Sequence, residues 1–130
     1  MNNPTWIKCD DCGFLAEVIS AGTCRPVCGD KELSAIPEHT EGEGNEKHIP
    51  VPEKRGTSMR VRIGSAAHPM LPAHHIEWIA VSVGDFFMRR HLRPDGAPEA
   101  DFPVPCMPGM KIYAYCNIHG LWSFTVPNEH

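Results

Sequence analysis

Met59-Arg60-Val61-Arg62-Ile63 alternates apolar and basic side chains residue by residue. A period of two belongs to a strand with one face in a core and the other in water. The stretches Ile76 to Val83, Phe86 to Leu92, Lys111 to Cys116 and Leu121 to Val126 have a similar strand character. Turn-forming pieces such as Arg93-Pro94-Asp95-Gly96 and Met107-Pro108-Gly109 separate them. Thirteen prolines and eleven glycines in 130 residues leave little room for long helices. Short strands at this spacing predict an all-β chain built as an antiparallel sandwich.

The segment from Glu38 to Gly44 is acidic and glycine-containing, and reads as a solvated connection between a cysteine-rich start and the strand-rich remainder. The predicted division is residues 1–37 and residues 38–130. A net charge of −4 and a pI near 6.0 speak against a nucleic-acid binder, which needs a basic surface for phosphates. No apolar stretch nears the roughly 18 residues of a membrane span, and Met-Asn-Asn-Pro-Thr-Trp does not have the pattern of a signal peptide. A cytosolic protein without membrane or nucleic-acid partners is expected.

In a reducing compartment, six cysteines point to metal ligation rather than disulfides. Cys9-x2-Cys12 has the form of a metal knuckle, with Gly13 closing a turn that lets backbone N–H groups face the sulfurs. Cys24 and Cys28 could complete a tetrahedral four-sulfur site. Zinc and iron suit such a site equally, and a pair of small buried residues is the plainer alternative for either half.

A second set of donors lies in the strand-rich part. His48, His68, His74, Cys116 and His119 stand at the edges of strand-like segments, and a convergent nitrogen and sulfur set suits iron or copper better than magnesium or calcium. Cys116-Asn117-Ile118-His119 spaces a thiolate and an imidazole three residues apart on a turn, so both can reach one ion. Neighbouring side chains on a strand face opposite ways, so only one of His74 and His75 should belong to the set.

Glu46-Lys47-His48-Ile49-Pro50-Val51, Ala67-His68-Pro69-Met70, His74-His75-Ile76-Glu77-Trp78-Ile79 and Tyr115-Cys116-Asn117-Ile118-His119-Gly120-Leu121-Trp122 closely resemble the desulfoferrodoxin and neelaredoxin family of superoxide reductases. The stretch from Leu92 to Ala100 is similar to the family's connecting loop. The resemblance covers nearly everything from Glu46 onward, with four motifs in the family's order and spacing. It implies an immunoglobulin-like sandwich and a mononuclear iron with His48, His68, His74 and His119 as equatorial ligands and Cys116 as the axial one. His74 rather than His75 matches the family motif, and His39, His75, His91 and His130 are then expected at the solvated surface.

The implied reaction is one-electron reduction of superoxide to hydrogen peroxide at an iron with one open position opposite the sulfur. Lys47 matches a family lysine near that position, where a cation would draw in an anionic substrate. Glu46 matches a family glutamate able to occupy the open position of the oxidised iron. An ordinary solvated loop is the plainer reading of both. The resemblance further implies a rubredoxin-like electron donor and a homodimer.

The first 36 residues resemble the desulforedoxin-like module of the two-iron members, with Cys9 and Cys12 matching its first pair. The family's second pair is adjacent, whereas Arg25-Pro26-Val27 separates Cys24 from Cys28. Cys28 is the better counterpart of the last ligand, Val27 stands where its neighbour would be, and some members keep the module without its metal. Iron, zinc or no metal are thus the alternatives for this site. The rival readings for the whole chain are a non-catalytic iron protein for electron transfer or metal binding, and a zinc-stabilised interaction module.

Overall fold

The computed structural model describes residues 4–41, 45–64 and 68–128, apart from the side chains of Asn45 and Glu46. The chain divides into two compact units, Met1–Pro37 and Glu38–His130.

In the first unit, β1 (Thr5–Lys8) pairs antiparallel with β2 (Leu15–Val18). Between them the Cys9 amide donates to the Phe14 carbonyl at 2.8 Å and the Gly13 amide to the Cys9 carbonyl at 2.8 Å. Gly13 takes a φ of 82°, a left-handed conformation that other residues adopt at a cost. A short hairpin follows, β3 (Val27–Cys28) and β4 (Lys31–Glu32), and β5 (Ser34–Ala35) then joins the free edge of β1. Trp6, Cys9 and Leu33 are buried, and Trp6 Nε1 donates to Glu17 Oε1 at 3.1 Å.

The second unit begins with β6 (Glu38–His39) and one helical turn, α1 (Asn45–His48). Seven strands follow: β7 (Pro50–Arg55), β8 (Ser58–Ile63), β9 (Ile76–Val83), β10 (Phe86–His91), β11 (Glu99–Phe102), β12 (Lys111–Cys116) and β13 (Gly120–Thr125). Together with β6 they form a five-stranded sheet ordered β10-β9-β12-β13-β6 and a three-stranded sheet ordered β11-β8-β7. The sandwich is immunoglobulin-like, and among the described residues all its pairings but one are antiparallel: β6 runs parallel to β13.

The alternation in Met59-Arg60-Val61-Arg62-Ile63 works as its pattern requires. Met59, Val61 and Ile63 enter a core shared with Ile79, Val81, Phe102 and Ile112. On the other face of that sheet, Arg60 Nε reaches Asp101 at 2.7 Å and Glu99 at 3.2 Å, and Arg62 Nε reaches Glu53 at 2.7 Å.

Three expectations need correction. Glu38 and His39 are strand rather than solvated connection, because the Glu38 carboxylate is held by Lys111 Nζ at 2.6 Å and accepts from the Ser123 hydroxyl. The end of the supposed connecting loop is the start of β11, where Glu99 and Ala100 pair with Arg62 and Val61. Two of the histidines expected at the surface are half-buried: His39 lies against Trp122 with ring centroids 5.0 Å apart, and His75 Nδ1 donates to the Leu71 carbonyl at 3.1 Å. His91 is exposed, and His130 lies outside the described residues.

Candidate metal centre

His48, His68, His74, Cys116 and His119 come from four separate places in the second unit and converge so that their donor atoms all lie within 4.8 Å of one another. His48 ends the helical turn that leads into β7. His68 precedes Pro69, whose carbonyl accepts from His68 Nδ1 at 2.6 Å, leaving Nε2 with its lone pair free. His74 closes a tight turn in which Leu71 and His74 exchange both backbone hydrogen bonds, at 2.9 and 3.0 Å.

Cys116 and His119 belong to the β12–β13 hairpin. Asn117, Ile118 and His119 make its loop, and Gly120, paired with Cys116, takes a φ of 83° that favours glycine at this position of a three-residue hairpin loop. A bulge aims the cysteine: Tyr115 pairs with Trp78 but Cys116 pairs with Ile76, so Glu77 is the extra residue on β9. The loop folds the His119 amide back to donate to Cys116 Sγ at 3.4 Å.

The four imidazoles meet edge to face in a closed cycle. His48 neighbours His68 and His119 with centroids at 4.7 Å, and His74 neighbours the same two at 4.9 Å. Along that cycle His48 Nε2 stands 3.1 Å from His68 Nε2 and 3.0 Å from His119 Nδ1, and His74 Nε2 stands 3.3 Å from His119 Nδ1. Nitrogens bound at right angles around one ion at about 2.1 Å would lie about 3.0 Å apart. The spacing therefore fits a single transition metal, with Cys116 Sγ 3.7 Å from His119 Nδ1 as the fifth donor.

Electrostatics agree with that fit. Burial pushes the His68 imidazole down to about 4, against the opposing effect of its bond to Pro69, so at neutral pH it is uncharged and able to ligate. His74 is also lowered, by burial first and then by the electrostatic effect of its neighbours His119, Lys47 and His75. Burial raises the Cys116 thiol, despite stabilising N–H groups of His119 and Ile118, so metal loading must displace its proton. His48, His68 and Cys116 are buried whereas His74 is half-buried and His119 exposed, so the centre opens on the His74–His119 side.

A second group lies in the first unit. The sulfurs of Cys9, Cys12 and Cys28 lie within 4.8 Å of one another, with Cys12 and Cys28 3.6 Å apart. Exposed Cys24 stands outside this group, which corrects the four-cysteine expectation. The reason lies in the chain path: the hairpin turn at Gly29-Asp30 and the Leu33 amide bound to the Pro26 carbonyl at 2.9 Å present Cys28 to the knuckle, while Cys24 precedes Pro26 in the exposed loop before β3.

The desulfoferrodoxin family pattern matches residues 40–125. The chain belongs to the desulfoferrodoxin family. A desulfoferrodoxin homolog of Methanothermobacter thermautotrophicus is 42% identical over 115 residues, covering 88% of this chain and 93% of that one. A desulfoferrodoxin of Syntrophotalea carbinolica is 42% identical over 116 residues, covering 89% and 91%. The superoxide reductase of Treponema pallidum superposes with a TM-score of 0.75 at 30% identity, covering 95% of this chain and 98% of that structure.

Two residues outside the set of five metal-ligating candidates support the centre. Trp122 stacks on His48, centroids 4.8 Å apart and planes 15° apart, while its Nε1 donates to the His119 carbonyl at 3.2 Å. Asn117 ties the hairpin loop to the His74 turn: its Oδ1 accepts from the His75 amide at 2.9 Å, its Nδ2 donates to the Ala73 carbonyl at 3.0 Å, and its own amide donates to the His75 carbonyl at 3.2 Å. In the sequence Asn117 adjoins Cys116 and Trp122 follows His119 by three residues, but nothing marks their partners. Asn117→Ala is expected to cost about 2 kcal/mol of stability in chemical denaturation, at about 1 kcal/mol per lost side-chain bond. Asn117→Asp, which keeps the acceptor and loses the donor, should fall between.

Proposed function

We propose that this chain is a superoxide reductase that converts superoxide to hydrogen peroxide by one-electron reduction. The observation that carries the reading is the convergence of four imidazoles and one buried thiol in a member of the desulfoferrodoxin family. His48, His68, His74, His119 and Cys116 would hold the iron. When bound, the iron supplies the electron that superoxide receives.

The chain's own residues supply the rest. Burial keeps His68 uncharged, and its Nδ1 bond to Pro69 points Nε2 inward. The Cys116 sulfur accepts the His119 N–H, a contact that favours its charged form. Substrate approach is from the His74–His119 side, where the charge of Lys47 is felt at His74. The Lys47 side chain is exposed and free to attract an anion without crowding the donors. Glu46 is assigned its role beside the iron on the resemblance alone, since its side chain lies outside the described residues.

Lys47→Ala is expected to slow the reaction with superoxide about tenfold at low ionic strength and by much less at high salt, measured by stopped-flow mixing. An equal loss at both salt levels would argue against steering.

In this reading the first unit is the desulforedoxin-like module and the second the catalytic domain. The donor is a rubredoxin-like carrier, the assembly a homodimer and the compartment the cytosol. Among the described residues no helix is long and apolar enough to cross a membrane. A steady-state assay with reduced rubredoxin and a superoxide source tests the reading directly. Consumption of rubredoxin electrons matched by peroxide supports it; a protein whose iron cycles with a donor but leaves superoxide untouched is an electron carrier instead.

A further inference from the structure

The three clustered sulfurs of the first unit do not fit a saturated four-sulfur metal centre. Cys9, Cys12 and Cys28 supply three donors, Val27 occupies the position beside Cys28, and Cys24 lies outside the group. A tetrahedral thiolate site needs a fourth protein ligand to close against solvent, and none is present among the described residues. What remains is a cluster of thiols with an unequal distribution of access. Cys9 is 1% exposed, and its amide and carbonyl are both tied into the turn that ends at Phe14. Cys12 is exposed and Cys28 half-buried, with 3.6 Å between their sulfurs.

We propose that Cys12 and Cys28 form a peroxide-responsive dithiol–disulfide couple. The Cys12 thiolate attacks one oxygen of hydrogen peroxide; the O–O bond breaks, hydroxide leaves and takes up a proton as water, and Cys12 becomes a sulfenic acid. The Cys28 thiol, which its neighbours Cys9 and Cys12 hold in the protonated form, then attacks the Cys12 sulfur; the S–O bond breaks, and the hydroxide leaves with the Cys28 proton as a second water. The two thiols together give up two electrons and two protons, peroxide becomes two waters, and one disulfide forms. A disulfide bond is about 2.05 Å long, so the sulfurs need to approach by about 1.5 Å. The two cysteines stand at the ends of turns that permit such a movement: Cys12 next to Gly13, and Cys28 at the end of β3 next to Gly29, which takes a φ of 65°. Cys9 is assigned as the bystander, since it is shielded from peroxide by burial and held in place by the two backbone bonds of its turn, and Cys24 lies outside the cluster.

Hydrogen peroxide is the product of the proposed reaction, so the couple would report on the turnover of the other unit. The chemistry needs only peroxide, from any source. The test therefore adds it directly, and the outcome is independent of whether the protein reduces superoxide.

The full-length, iron-loaded chain, reduced and freed of excess reductant, is treated with one to two equivalents of hydrogen peroxide. Free thiols are counted and unreduced peptides mapped by mass spectrometry. The expected result is a loss of two thiols per chain, a Cys12–Cys28 linkage, and full recovery on adding a dithiol. Cys24→Ser should behave identically. Cys28→Ser should stop at a Cys12 sulfenic acid that dimedone traps. A Cys12 sulfinic acid without a cross-link, a linkage to Cys9 or Cys24, or thiols made unreactive by a metal bound in the first unit would each overturn the proposal.

Discussion

The Cys116→Ser variant is expected to lose the sulfur-to-iron absorption band and its superoxide-reducing rate by roughly a hundredfold or more. Even groups that only support a metal ligand typically cost about 10- to 100-fold when removed, and Cys116 is the proposed ligand itself. Its sulfur is fully buried, 3.7 Å from His119 Nδ1, and is reached by the His119 amide at 3.4 Å. A serine hydroxyl fits the same space and leaves the β12–β13 pairing intact, so the fold should survive, as circular dichroism can verify. It keeps its proton at neutral pH, however, and offers a hard oxygen in place of a soft, electron-donating sulfur. A variant with the parental spectrum would show that the sulfur is not bound to the metal.

Trp122→Ala should be the most damaging change outside the donor set. Trp122 is 5% exposed, stacks on His48, lies against His39, and fastens the His119 carbonyl through its indole N–H. Truncating a buried tryptophan costs about 3–5 kcal/mol, a large part of the roughly 5–15 kcal/mol that holds a domain of this size together. The expected readouts are a lower denaturation midpoint and faster iron loss to a chelator, since His48 loses its stacking surface and the hairpin loop loses its anchor. Trp122→Phe separates the two effects: the ring surface stays and the hydrogen bond goes, so stability should fall by only about 1 kcal/mol. Iron retention equal to the parent in both variants would mean that the stack positions nothing.

The strands with plain alternation were legible in the sequence, because burial of one face writes itself into the residue order. Met59, Val61 and Ile63 in β8 are the clearest case. β7 was hidden because Pro50 and Pro52 look like punctuation. At the outer edge of the three-stranded sheet a proline can sit in a strand without spoiling a ladder bond. β6 was hidden because Glu38 reads as a solvated acid until its partners Lys111 and Ser123, more than 70 positions later, are in view.

The same division holds at the sites. The five donors of the second unit are residue types with few other reasons to cluster, and the structure brings their donor atoms together. Asn117 and Trp122 escape sequence reading because their work depends on partners in a distant turn and a facing ring. Cys24 misleads for the converse reason: its nearness to Cys28 along the chain says nothing about the direction in which the loop carries it. Four cysteines within twenty residues suggested four ligands, and the path through Pro26 and the Gly29-Asp30 turn leaves three.

The most direct test of the central claim is stopped-flow absorption of the reduced, iron-loaded chain mixed with a pulse of superoxide, alongside metal analysis of the same sample. One iron per chain in the second unit, oxidised rapidly with one hydrogen peroxide formed per iron, is the expected result. Iron that stays reduced in the presence of superoxide, or a colourless protein carrying only zinc, would contradict it.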